Sequence, residues 1–482
     1  MTQLCGGENV LSAMLRHAAS RPQAEAIGDA KGRLLWTWGQ LAHVVATLSQ
    51  KLHRRHECEP QIKRRQVLLC QNRPIDVAWS LACAAAGWVH EPQSTDEIFN
   101  AATCDRSREQ PFLPEADLAE ITDASDTPQT ISDSDLDELL VRARLIDTHT
   151  HALTLRTGGS TGTPLGVMLS HANLFRNATA KLKAVPQHYD DLRWTILPIT
   201  HAYARTCDLG TWLISGCRLR IGLGRGDLPS GTESTYPTHI NTVPTIAQTI
   251  VDQLRNNHPA WQRLRVVGCG GAAISQRLLD QFRDHRIDVI QGYGLTETSP
   301  VIASEVVDES LPRRLAGIVG KPVEHVETRI QDDRLWVRGP GNMIGYENDA
   351  ALTEQRIDSA GWLDTGDRVR VQPDGSLQIL GRDDDVIVLP TGHKVDPVTI
   401  ERFAYDVDGV QRAVMLMIDD RLTLAVEADT IDTSALHTAI NPHLPPGICC
   451  DVVKLEPPLS RQSGELTIKL TPNRNQIRHR WA

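Results

Sequence analysis

Apolar positions along the chain switch repeatedly between helical and strand spacing. NVLSAMLRHAASRP places them three and four apart and stops at Pro22, which predicts a first helix. AEAIGDAKGRLLWTW reads as a hairpin around Lys31-Gly32, and GQLAHVVATLSQKL as the helix that follows it. QVLLCQN (66–72) is expected as a buried strand, and VAWSLACAAAGWV (77–89), rich in small residues, as a helix packed closely on a sheet. Between 91 and 146 the pattern lapses into acidic, proline-containing sequence. That stretch is expected to be mostly a solvated connector, ending in a helix near Ser134–Ala143 that Ser132 or Asp133 could cap.

The alternation then returns. LRWTILPIT (192–200), CRLRIGL (217–223), THINTVP (238–244), LRVVGCGG (264–271) and IDVIQGYG (287–294) are short apolar runs ending in Gly, Pro or Thr. TIAQTIVDQLRNN and ISQRLLDQFRDH lie between them as helices. Such alternation predicts an α/β fold with a largely parallel sheet and ligands at the carboxyl ends of its strands. From about Arg329 hairpins take over: TRIQDDRLWVRG, then RVRVQPDGSLQILGR with its Asp374-Gly375 turn. The remainder reads as a separate small α+β unit, with a hairpin at Asp419-Asp420 and a helix in TSALHTAINPHL.

Composition narrows the function. A chain of 482 residues should form two or more domains. With Asp+Glu 60 against Lys+Arg 50 and a net charge of −10, a general nucleic-acid binder is disfavoured, since its footprint is basic. The ten cysteines form no C-x-x-C pair and are expected as reduced thiols, mostly in the core. The start, MTQLCGGENVL, lacks the regions of a signal peptide, and the longest apolar run is too short to span a bilayer. A soluble cytoplasmic protein is expected, with any membrane contact peripheral.

Three glycine-rich patterns compete for the chemistry. In RTGGSTGTPLGVMLSH (156–171), Gly158, Gly159, Ser160, Thr161, Gly162 and Thr163 suit a loop that offers backbone N–H groups and hydroxyls to phosphate oxygens. The same run matches the G-x-S-x-G elbow of serine hydrolases, but that elbow needs a helix where Pro164 and a strand-like VML follow. Gly268-Cys269-Gly270-Gly271-Ala272-Ala273 resembles a dinucleotide fingerprint, yet the next strand ends in Gln291 and glycine where a ribose-binding acid belongs. No Gly-Lys-Ser/Thr follows either glycine run, so neither is a Walker loop.

Read together, RTGGSTGTPLGVMLSH, LPITHAYARTCDL (197–209), VGCGGAAIS (267–275), GYGLTETSP (292–300), GWLDTGD (361–367) and GRDDDVIVLPTGHKVDPVTIE (381–401) stand in an order that resembles the adenylate-forming superfamily. That superfamily includes acyl-CoA synthetases, luciferases and peptide-synthetase adenylation domains. The resemblance runs from about residue 28 to the end, and LPITHAYARTCDL is most similar to the long-chain fatty acyl-CoA synthetases. It implies a large N-terminal domain (1–382) of βαβ subdomains plus a distorted β-barrel, and a small mobile α+β C-terminal domain (383–482). It also implies an ATP-dependent ligase that makes an acyl-adenylate from a fatty or other carboxylic acid and passes the acyl group to CoA. Relatives that stop at the adenylate or use an acyl carrier protein are one alternative, and a non-catalytic nucleotide- or acyl-binding protein is another.

The roles follow residue by residue from the resemblance. Ser160, Thr161, Gly162 and Thr163 would touch the phosphates, and Gly270, Gly271 and Ala272 would line the adenine slot. Tyr293 would stack on adenine beside Gly294, with Thr296 and Glu297 following, and Glu297 would hold Mg2+. Asp367 and Arg382 would hold the ribose hydroxyls, and Asp384 would mark the hinge. His201 and Gly292 would face the acyl substrate, and Gly392 the pantetheine channel. GELTIKLTPNR (464–474) makes Lys469 the candidate catalytic lysine, although its spacer is shorter than the long-chain pattern by two residues.

Two departures stand out. Residues 91–146 would have to replace several βα elements, so that subdomain is expected to be trimmed. Leu165 stands where the family pattern has lysine, so a cation for the phosphates is missing.

Overall fold

The computed structural model describes residues 8–32, 35–94, 129–157, 164–230, 235–307, 314–460, 462–466 and 472–481. The first helix, Val10–Ser20, begins where Asn9 accepts a hydrogen bond from the Ser12 amide at 2.9 Å while the Ser12 hydroxyl receives the Asn9 amide. Such a reciprocal cap stabilises a helix by about 1 kcal/mol. The Asn9 side-chain amide also donates to the Ala143 carbonyl at 3.0 Å, tying this helix to Asp133–Leu145. Thr37 and Gln40 cap the long helix Trp38–Cys58 in the same way. Trp38, fully buried, stacks on Trp212 with ring centroids 5.1 Å apart.

A nine-stranded sheet forms the larger layer. Its order is Lys321–Pro322, Val301–Ser304, Asp288–Gly294, Val266–Cys269, His239–Thr242, Leu192–Thr195, Arg218–Ile221, Glu25–Asp29, Leu35–Thr37. The pairs from Asp288–Gly294 across to Glu25–Asp29 are parallel, and both edges are antiparallel. The expected strands and intervening helices, Pro244–Arg255 and Gln276–Asp284, therefore form as the spacing predicts.

A five-stranded sheet packs beside it in the order Gly345–Tyr346, Leu165–Ser170, His151–Thr157, Val89–Gln93, Arg65–Leu69. Here the structure corrects the sequence reading. The helix expected over 77–89 spans Pro74–Ala86 and ends at Gly87, whose φ of +69° closes the turn. Val89–Gln93 is then a parallel strand that runs from the end of the expected helix into the start of the segment expected to be connector. Its polarity hid it: Glu91 is only 1 % exposed, and it is sustained there by the guanidinium groups of Arg65 and Arg156. Residues 95–128 lie outside the described residues, so the expected connector and its trimming are followed only at their two ends.

The elements on either side of 158–163 are antiparallel strands, with Arg156 opposite Gly166 and Thr157 opposite Leu165. A hydrolase elbow needs a strand and a helix there, so that reading falls.

A four-stranded antiparallel sheet follows: Glu327–Gln331, Arg334–Arg338, Leu363–Val371, Leu377–Arg382. It contributes Leu335, Val337, Leu363 and Leu377 to the core that also holds Leu155, Val167 and Leu169 of the second sheet. From Ile387 onward the chain builds its own core around the hairpin Val410–Ile418/Arg421–Ala428 and the helices Pro397–Ala404 and Thr433–Ile440. Among the described residues no helix is long and apolar enough to cross a membrane.

Candidate nucleotide site

Three of the sequence-predicted residues meet at the junction of the nine-stranded and four-stranded sheets. Asp367 and Arg382 are register partners on neighbouring antiparallel strands, so both point to one face. The Arg382 Nε lies 3.9 Å from Asp367 Oδ1 and donates to Asp384 Oδ1 at 3.2 Å. Tyr293, on the strand Asp288–Gly294, donates its hydroxyl to the other oxygen of Asp367. The Asp367 amide is fixed by the Thr365 hydroxyl, which in turn donates to the Leu335 carbonyl at 2.7 Å.

Burial governs the acid–base character of this trio. Asp367 is 6 % exposed, and desolvation raises its pKa to about 6 against the pull of Tyr293 and Arg382. Burial, with Asp367 next, drives the Tyr293 hydroxyl well above its ordinary value, so it stays a donor.

The strand that carries Tyr293 turns immediately. A Cβ on Gly294 would lie 1.5 Å from the Pro300 carbonyl oxygen, so only glycine allows the chain to fold back there. The turn Thr296–Thr298 then presents Glu297, whose Oε1 accepts the Tyr346 hydroxyl at 2.9 Å. The backbone carbonyl of Glu297 accepts the Met343 amide at 2.8 Å. Burial and then Glu297 push the Tyr346 hydroxyl up. Among the described residues Glu297 Oε2 has no hydrogen-bond partner, and no group of three or more His, Cys, Asp or Glu could hold a metal. A lone carboxylate with an uncommitted oxygen suits Mg2+, which takes one or two protein carboxylates and completes its shell from phosphates and water. Thr296 is buried beside it.

The remaining predicted residues differ in exposure. Gly271 and Ala272 are exposed, and Gly270 is half-buried, with Tyr203 beneath it at 3.3 Å from where a Cβ would stand. Gly292 is open, His201 precedes the short helix Ala202–Ala204, and Gly392 is exposed with φ +82° and nothing within 4 Å of a Cβ. Ser160, Thr161, Gly162, Thr163 and Lys469 lie outside the described residues.

Sequence reasoning missed Tyr346 and Arg356, which flank the site from the segment between two motifs. Tyr346 is placed by pairing with Val167, and Arg356 ends the helix Ala350–Arg356. Each is a single residue in a stretch without periodicity, and only the tertiary fold brings it to Glu297 and Asp367.

Known proteins share this arrangement of elements. The family model described as AMP-binding enzyme matches residues 14–347. A long-chain-fatty-acid–CoA ligase of Yersinia pestis is 31% identical over 279 residues, 54% of this chain and 49% of that protein. A feruloyl-CoA synthase of an Amycolatopsis species is 30% identical, covering 56% of each chain, and the fatty acid–[acyl-carrier-protein] ligase MmaC of Mycobacterium marinum is 28% identical, covering 58% of each. The chain thus spans about half the length of the curated relatives it matches. In fold it follows ATP-bound MatB from Rhodopseudomonas palustris over 98% of this chain and 99% of that one, with a TM-score of 0.77 at 21% identity. A match over residues 14–347, more than half of the chain, makes it a member of the AMP-binding enzyme family.

Proposed function

We propose that this protein is an AMP-forming acid–thiol ligase that activates a carboxylic acid with ATP and transfers the acyl group to CoA. The observation that carries the reading is the buried Asp367, paired in register with Arg382 and capped by Tyr293. A carboxylate held dry among donors is a strong acceptor for two ribose hydroxyls. Tyr293, fixed through its hydroxyl, offers its ring to adenine at the open edge of Gly271 and Ala272.

In the first half-reaction a carboxylate oxygen bonds to the α-phosphorus of ATP as the bond to the bridging oxygen breaks, releasing pyrophosphate. In the second, the thiol of CoA bonds to the acyl carbon, loses its proton, and AMP departs. Like charges meet in the first step, so fixed donors and cations have to offset them. Glu297, oriented by Tyr346, would hold Mg2+, whose charge would screen the phosphates when bound. Lys469, on the 383–482 unit that we take to be a mobile lid, would serve the attacked phosphate. Gly392, exposed and free of neighbours, suits a channel for pantetheine once that unit turns about the segment at Asp384.

The names of the relatives favour different acids, fatty and hydroxycinnamic, and one favours a carrier-protein acceptor. We assign a fatty acid as the first candidate on the LPITHAYARTCDL resemblance. The test is pyrophosphate release with ATP, Mg2+ and a panel of fatty, aromatic and dicarboxylic acids, with and without CoA. Release with an acid and thioester only with CoA supports the ligase. Adenylate that accumulates with CoA present supports a carrier-protein acceptor. Absence of release with every acid, despite ATP binding, supports the non-catalytic reading that Leu165 favours.

A further inference from the structure

The nucleotide site lacks a lysine at position 165, and the strand Leu165–Ser170 begins with an apolar side chain instead. The arginines around it are mostly spoken for. Arg65 and Arg156 are paired with Glu91 and Glu347, Arg334 with Asp364, Arg368 with Asp396, and Arg382 with Asp384. Arg356 differs. Among the described residues it has no carboxylate within ion-pair distance; its Nη1 donates to the Asp364 carbonyl at 3.3 Å, and its guanidinium is also hydrogen-bonded to the Tyr346 side chain.

Its position is specific. Gly366, with φ +72°, is flanked by two guanidinium groups: a Cβ there would lie 3.2 Å from Arg356 Nη1 and 2.8 Å from Arg382 Nη2. Arg356 therefore stands beside the residue that precedes Asp367. Its charge acts on both ends of the site: burial raises Asp367 and Tyr346, and Arg356 draws each back down. Tyr346 is the residue that holds Glu297, and its neighbour Glu347 donates its amide to the Gly166 carbonyl at 2.8 Å, next to Leu165.

A nucleotide whose ribose rests on Asp367 and whose phosphate-bound cation rests on Glu297 must lead its phosphates from one to the other. Arg356 sits at that crossing, bonded to the Asp364 carbonyl and to Tyr346 but with no carboxylate partner among the described residues. We infer that Arg356 is the phosphate-binding cation of this site, standing in for the lysine absent at 165. The inference rests on the nucleotide-site reading above. Arginine suits the task, because its planar fork meets two phosphate oxygens at once and keeps its charge at any working pH.

The experiment is a calorimetric titration of the full chain with adenosine and with ATP plus Mg2+, for wild type, Arg356→Ala, Arg356→Lys and the double variant Leu165→Lys/Arg356→Ala. Loss of a hydrogen-bonded charge should weaken ATP about 10- to 100-fold in Arg356→Ala and leave adenosine within about twofold, since adenosine carries no phosphate. Arg356→Lys should keep most of the ATP affinity, and the double variant should regain it, because the new lysine meets the same oxygens. The two ligands weakened equally, or ATP binding unchanged in Arg356→Ala, would overturn the assignment while leaving the nucleotide site intact. Wild type that binds neither ligand would overturn the nucleotide site and Arg356 with it.

Discussion

Asp367→Asn should make the ligand-free protein more stable at neutral pH while weakening its hold on ATP. The carboxyl is 6 % exposed, and burial raises its pKa to about 6, against about 3.9 in the unfolded chain. Between those values the native state binds more protons than the unfolded one, so stability falls as pH rises through the window and is level above it. A carboxyl displaced that far costs about 2–3 kcal/mol once ionised, of which about 2 kcal/mol develops between pH 4.5 and pH 7.5. Asparagine keeps the acceptor for Tyr293 and carries no charge to desolvate. For a cooperative unit of roughly 300–400 residues that difference amounts to about 2–3 °C in Tm. Thermal unfolding of both proteins at the two pH values, without ligand, measures it: the variant should lead by more at pH 7.5 than at pH 4.5. ATP affinity should fall about 10- to 100-fold in the variant at pH 7.5, as a charged acceptor is lost. A Tm gap that is the same at both pH values would refute a raised Asp367, and ATP affinity equal to wild type would refute its role at the ribose.

Other perturbations probe separate parts of the structure. Glu297→Gln keeps the acceptor for Tyr346 but loses the charge, so pyrophosphate exchange should drop at least about tenfold and need more Mg2+; an unchanged Mg2+ titration would move the metal elsewhere. Lys469→Ala should lose acyl-adenylate formation and keep thioester formation from supplied acyl-AMP and CoA, which separate half-reaction assays would check; equal loss of both would make the lysine structural. Arg193→Met should destabilise by about 3–5 kcal/mol, because it strands Asp208, fully buried and otherwise held by Arg193 Nη1 at 2.7 Å and Asn241. Adding Asp208→Leu should recover much of that loss in a denaturation series, and no recovery would argue against the pair as the cause.

Much of this fold was legible because each local signal agreed with its tertiary outcome. The short apolar runs from Leu192 to Gly294 are buried on both faces of a parallel sheet, which leaves a continuous hydrophobic signature. The hairpins expected in TRIQDDRLWVRG, at Asp374-Gly375 and at Asp419-Asp420 also form, with positive φ at Asp332, Asp333, Gly375, Asp419 and Asp420. The strand Val89–Gln93 was illegible because its polar side chains are neutralised by arginines from distant strands, a fact no local window contains. The site divides the same way. Tyr293, Glu297, Asp367 and Arg382 lie inside ordered motifs with turn residues around them, whereas Tyr346 and Arg356 reach the site only through the pairing of Gly345–Tyr346 with Leu165–Ser170 and the packing of one short helix.

The register of the large sheet has a consequence for how the chain is made. Glu25–Asp29 pairs in parallel with Arg218–Ile221, Ile27 opposite Leu219. A ribosome emits the N-terminal strand first, yet its partner emerges roughly 190 residues later, about 10–40 s at ordinary elongation rates. During that interval the buried faces of Ala26 and Ile27 and of the helix Trp38–Cys58 have no finished sheet to cover them. The second sheet waits longer still, since Leu165–Ser170 is flanked by Gly345–Tyr346. Synthesis therefore passes through a long stage in which apolar surface stands open, the stage at which a chaperone would be needed. A chain halted before Cys217 would be left in that state for good.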